Sequence, residues 1–138
     1  MSTLIIAAGD VHRGDEAAPG RVLELLGDQP NVQVQQVQSL SPGLAADMSA
    51  VEEVVFINSH ASLGDPWMEP VGTSESDETA RVVNLARSLF DFHGHAYACH
   101  VPGIDFDEGM TLSPYAESHA LQAAGLVRRI LSGDRHQT

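Results

Sequence analysis

The sequence predicts an α/β domain in which a mostly parallel sheet is covered by helices on both faces. Three observations carry this expectation. Short, continuously apolar runs alternate with stretches of helical periodicity, the strand-then-helix unit recurs along the whole chain, and 138 residues suit one domain around one core. Repeated βα units favour parallel strands, because each helix returns the chain to the edge where the next strand starts. With 43% apolar residues the chain has enough core material to exclude a disordered protein.

Leu4-Ile5-Ile6-Ala7-Ala8 is continuously apolar and broken by Gly9, the pattern of a strand buried on both faces. Asp15 to Leu26 reads as a helix, with Ala18, Val22, Leu25 and Leu26 at helical spacing. Asp15 is the expected N-cap, Glu16 meets the positive end of the dipole, and Pro19 falls in the first turn. Asn31 to Val37 alternates Val with Gln, which predicts a half-exposed outer strand. Ser41-Pro42 reads as a cap followed by Pro at the first helical position, opening a short helix through Ala50. Val54-Val55-Phe56-Ile57 is a third, central strand. Asn58 to Ser76 is rich in Gly, Pro and Ser and reads as a loop, with an irregular edge strand near Trp67–Val71. Glu78 to Phe90 is helical, Ala96 to Val101 is a further strand, Pro102 to Met110 a loop, and Ser113-Pro114 starts a helix to Leu131. Residues 132–138 form a polar tail.

Seven Arg, no Lys and nineteen acids give a formal charge of −12. So acidic a surface repels phosphate backbones and anionic membranes, so neither nucleic acid nor a membrane is an expected partner. Cys99, the single cysteine, excludes an intrachain disulfide and a Cys-rich zinc site. The opening Met-Ser-Thr-Leu-Ile-Ile has no basic region of the secretory type, and no apolar run approaches the ~20 residues of a membrane span. A cytoplasmic protein is expected.

In parallel α/β sheets, sites form at the carboxyl ends of strands. That rule selects Gly9–Glu16, Asn58–Ser62 and His100–Asp105. The first segment lacks the dinucleotide fingerprint and the phosphate-loop Lys, and its adjacent carboxylates suit a cation better than an anion; the alternative is that Asp15 and Glu16 serve only the helix start. Asn58-Ser59-His60 is either a site or a turn. His60 and His100 are each either a metal ligand or proton carrier, or a solvated loop residue. His93-Gly94-His95 precedes a strand and so lies at the wrong edge. Glu75-Ser76-Asp77-Glu78 caps a helix or delivers a carboxylate from a long loop. Trp67 and Met68 either anchor their loop to the sheet or form an apolar lip. No Gly-x-Ser-x-Gly elbow and no His-Glu-x-x-His pair is present, and Cys99 sits inside a buried strand with nothing to lower its pKa.

Two segments carry a resemblance. Leu4–Asp10, then Arg13-Gly14-Asp15-Glu16 and Gly20, resembles the opening of the hydrogenase maturation endopeptidases. Pro102 to Pro114, ending Gly109-Met110-Thr111-Leu112-Ser113-Pro114, resembles that family's closing loop. Gly43-Leu44, opening a helix before the third strand, is similar as well, and the likeness runs in order over nearly the whole chain. Asp10 stands where the family has Asn. The resemblance implies a three-layer α/β/α sandwich with a small, mostly parallel sheet, spanning residues 1–138 as one domain. It also implies an endopeptidase that removes the C-terminal tail of a nickel–iron hydrogenase large subunit after nickel insertion.

The family contacts nickel through a Glu of the first motif, an Asp ending the third strand and a His before the next helix. The Glu matches Glu16; the other two positions fall on Asn58 and near Glu75. Glu16 and Asn58 are thus the implied catalytic pair. Glu16, Asn58 and Glu75 are the implied metal-contacting set, with His60 or His100 available to replace the missing imidazole, since nickel favours imidazole nitrogen over neutral or carboxylate oxygen. Asp15, Asp105 and Trp67 are candidates for holding the substrate. The nickel would be met in the immature large subunit rather than held by this chain. A non-catalytic relative acting on the same partner as chaperone or checkpoint is the second reading, and a small-ligand binder on the same fold the third.

Overall fold

The computed structural model describes residues 2–74 and 77–133. Five strands, β1 (Thr3–Ala8), β2 (Val32–Val37), β3 (Glu53–Ala61), β4 (Trp67–Pro70) and β5 (His95–Gly103), form one sheet in the order β2-β1-β3-β5-β4. All neighbours run parallel except β4, which pairs antiparallel with β5 at the edge. Helices α1 (Ala18–Leu26) and α4 (Pro114–Leu131) cover one face, and α2 (Leu44–Asp47) and α3 (Glu78–Leu89) the other. The expected three-layer sandwich is the observed one.

The alternation of side chains along each strand divides the core in two. Ile5, Val55, Ile57, Cys99 and Val101 face α1 and α4. Leu4, Ile6, Val54, Phe56 and Ala96 face α2 and α3. An Arg21–Glu117 pair, with Nε 2.9 Å from Oε1, clasps α1 to α4 at the surface. β2 is the outer strand its Val/Gln alternation predicts, but Val34, on the covered side of that alternation, is exposed.

Several boundaries differ from expectation. Asn58 to Ala61 continue β3 rather than opening a loop, because β5 also runs on, through Pro102 and Gly103, and pairs with them in register. Helix α2 is a single turn; Ser41 starts it through its carbonyl, which accepts from the Leu44 N–H, and not through a side-chain cap. Asp15 does not cap α1: it lies inside a 3-10 turn, Gly14–Ala17, whose N-cap Arg13 makes no side-chain capping hydrogen bond. Asp77 and Ser113 do cap α3 and α4, accepting from the N–H groups of Thr79 and Ala116. The edge strand expected near Trp67 is β4.

From β1 the chain passes outward to β2 and then crosses to β3 on the other side. The chain leaves β1 for α1 on one face, while from β3 it passes through the edge strand β4 to α3 on the other, which opens a crevice at the carboxyl ends of β1 and β3.

Candidate active-site cleft

That crevice is a cleft of about 900 Å³. Its floor follows from strand register. Ala8 pairs with Asn58, Asn58 with His100, Trp67 with His100 and Glu69 with Ala98. Paired residues share a face, as do residues two apart on a strand, so Asn58, His60, Ala98, His100, Trp67 and Glu69 all lie on the α2/α3 side. Along β3 this face reads Val54, Phe56, Asn58, His60: apolar beneath the helices, polar where the strand emerges beyond them. Glu16 reaches the cleft from the β1 loop, Asp77 and Glu78 from the start of α3, and Phe106 from the closing loop.

Glu16 is partly exposed and held from two sides. Its Oε1 accepts from the Asp10 N–H at 3.1 Å, and its Oε2 lies 3.3 Å from Arg13 Nε. One oxygen edge is thereby oriented by the loop while the residue still lines the cleft.

Asp15, its neighbour, has no exposure at all. Its Oδ2 accepts from the Ile104 N–H at 2.8 Å, the Asp105 N–H at 3.1 Å and the Ser113 hydroxyl at 2.8 Å, and its Oδ1 accepts from the Ser113 N–H at 2.8 Å. Burial pushes this carboxyl up, but the donors from Ser113, Ile104 and Asp105 outweigh it and hold it below the ordinary 3.8. Asp15 is therefore the clamp of the closing loop and is closed off from any ligand, contrary to its expected contact with substrate. The Asp15 N–H and Gly14 N–H complete the seam by donating to the carbonyls of Asp105 and Met110. Gly14, at φ +55°, has no room for a Cβ against the Asp105 carbonyl. Asp105 is half-buried, and its side chain is engaged in its own turn, accepting from the Asp107 N–H.

His60 and His100 meet. His100 Nδ1 lies 2.6 Å from His60 Nε2, and His100 Nε2 lies 2.6 Å from Glu69 Oε2. Trp67 stacks on His100 with ring centres 4.5 Å apart and donates from Nε1 to Glu69 Oε2 at 3.2 Å. Trp67 is thus both an anchor on the sheet and partly exposed beside the cleft. Burial, then His100, lowers the His60 pKa below the ordinary imidazole value, against the raising pull of Glu69 and Asp77. The site expectation for Glu75 falls outside the described residues. His93 is exposed beside Asp91, at the opposite edge as expected. Burial raises the Cys99 thiol to about 12, so it is no nucleophile.

Sequence reasoning missed Glu69 as a site residue, although it falls in the edge strand expected near Trp67–Val71; the signal was its two-residue spacing from Trp67 on a strand opposite Ala98 and His100. Phe106, from the closing loop, lines the cleft as well. Among the described residues, no three His, Cys, Asp or Glu side chains are gathered closely enough to hold a metal ion by themselves.

No family model and no curated protein matches the chain in sequence. Solved structures do match. The hydrogenase maturating endopeptidase HybD from E. coli superposes with a TM-score of 0.78 at 18% identity, over 96% of this chain and 94% of that one. The [NiFe] hydrogenase maturation protease HybD from Thermococcus kodakarensis gives 0.77 at 16% identity over 94% and 99%. The maturation protease HycI from the same organism gives 0.74 at 17% over 96% and 93%. Over nearly its whole length, the chain has the fold of the hydrogenase maturation endopeptidases.

Proposed function

We propose that this chain is an endopeptidase that removes the C-terminal tail of a nickel–iron hydrogenase large subunit once nickel has been inserted. The observation that carries the reading is the convergence of Glu16, Asn58 and His60 on one cleft, at the strand edge where this fold places its sites, in a chain that matches maturation proteases end to end.

The nickel belongs to the substrate. A metal already coordinated in the substrate needs only one or two added donors from this surface. Glu16 supplies a carboxylate oxygen and His60 an imidazole nitrogen, replacing the imidazole that Glu75 does not offer. Asn58 supplies a neutral amide oxygen where the resemblance implies a carboxylate. Seating the metal there lays the scissile peptide against Glu16, whose carboxylate, oriented by Asp10 and Arg13, accepts the proton of the attacking water. Trp67 and Phe106 give the departing tail apolar surface. We place the reaction in the cytoplasm, with no nucleic acid or membrane involved; no described helix is long and apolar enough to cross a membrane.

The second reading, a non-catalytic checkpoint that binds the immature subunit, is favoured by Asn58 and Glu75, which stand where the resemblance implies Asp and His. Incubating the purified protein with a tail-bearing large subunit from the same genome separates the two. Shortening of the subunit, lost in Glu16→Ala, supports the peptidase; a stable complex with no change in subunit mass supports the checkpoint.

A further inference from the structure

The contacts around His60 constrain its protons. With both imidazoles neutral, each ring carries one N–H. Glu69 as a carboxylate only accepts, and its Oε2 lies 2.6 Å from His100 Nε2. His100 Nε2 is shut off from solvent and has no aligned hydrogen-bond partner among the described residues, so the adjacent carboxylate is the group that answers it, after a small rotation of the half-exposed Glu69 side chain. The N–H of His100 therefore sits on Nε2 and its Nδ1 is a lone pair. His60 Nε2, 2.6 Å from that Nδ1, must be the donor. The reverse order would set a lone pair of His100 against a carboxylate. One arrangement of the two protons sets no lone pair against another acceptor, and it leaves Nδ1 of His60 as the lone pair of a residue that lines the cleft.

We propose that Glu69 and His100 are positioning residues that lock His60 in the tautomer protonated at Nε2, so that its Nδ1 is the nitrogen offered to a divalent metal borne by the substrate. Trp67 completes the device. Its indole covers one face of His100 and its Nε1 donates to the same Glu69 oxygen, which keeps the carboxylate turned inward on an otherwise exposed edge strand. The arrangement is a carboxylate–imidazole support behind a ligating imidazole, extended by one ring. The role of His60 toward metal rests on the peptidase reading; the tautomer does not.

Long-range proton–nitrogen spectra of the imidazoles, with His60 assigned by its loss in His60→Gln, test this at a pH where both rings are neutral. The expected wild-type spectrum has His60 protonated at Nε2 and bare at Nδ1. Glu69→Ala and His100→Phe should each release His60 into a mixture of tautomers, while Glu69→Gln, whose carbonyl still accepts from His100, should retain most of the lock. Ni2+ added alone should perturb His60 Nδ1 before any other imidazole, with an affinity about 10–100-fold weaker in Glu69→Ala. A wild-type His60 protonated at Nδ1, a tautomer indifferent to Glu69, or Ni2+ that leaves His60 untouched would each overturn the proposal. A locked tautomer in a protein that never shortens a large subunit removes the peptidase reading and not the lock; a processing enzyme with an unlocked His60 removes the lock and not the reading.

Discussion

Asp15 and Glu16 are adjacent carboxylates with opposite fates. Glu16 is turned to the cleft, while Asp15 is buried and accepts four hydrogen bonds from the closing loop. Asp15→Ala strips three backbone N–H groups of their acceptor at about 1 kcal/mol or more each, so chemical denaturation should show a loss of about 3 kcal/mol. Asp15→Asn should lose nearly as much, because its NH2 must face a donor on either side. The pH dependence follows from the depressed carboxyl. Because its folded pKa lies below the ordinary 3.8, its contribution is complete above that value and is lost as pH falls through the folded one. Acid melts of wild type should therefore fall more steeply below pH 3.8 than those of Asp15→Asn. From sequence the pair reads as a helix start, and nothing local distinguishes clamp from site. The distinction lies in contacts about ninety residues away, which spacing along the chain does not encode.

Among the elements, β3 carries the most meaning. Its residues alternate between two cores, and the α2/α3 face changes from Phe56 to Asn58 at the point where helix cover ends. Phe56 has no exposure, so Phe56→Ala should destabilise by about 3–5 kcal/mol, read as a fall in the midpoint of urea unfolding. Gly103 faces Asp15, and a Cβ there would stand 2.6 Å from the Asp15 Cβ. Gly103→Ala should therefore cost about 1–3 kcal/mol and loosen the closing loop, detectable as faster amide exchange at Ile104 and Asp105. The strands, α3 and α4 were legible because apolar runs and Ser or Asp caps are local signals. The length of β3 was not, since Asn58-Ser59-His60 has turn composition and becomes strand only because β5 extends beside it. The His60–His100–Glu69 cluster was half legible: both histidines fall at the predicted edge, but their meeting depends on the β3–β5 and β4–β5 registers.

At the scale of the molecule, a net charge of −12 works against compactness and selects partners. Screening is weak at low salt, where the Debye length is about 30 Å near 0.01 M, and strong near 0.15 M, where it is about 8 Å. The thermal midpoint should rise between those conditions by a few degrees, measured by circular dichroism, and binding to a large subunit should weaken over the same range if the contact surface of that subunit is basic. The fold was legible at this scale from repeated βα units and from two end motifs, Gly14-Asp15-Glu16 and Gly109 to Pro114. The structure joins those motifs physically through Asp15, and Glu16 and Phe106, far apart in sequence, line the same cleft.

The most direct test is the mass of a tail-bearing large subunit after incubation with this protein, compared between nickel-loaded and nickel-free subunit. The account predicts loss of a C-terminal fragment from the loaded form alone. An unchanged mass in both forms, or equal shortening with and without nickel, would contradict it.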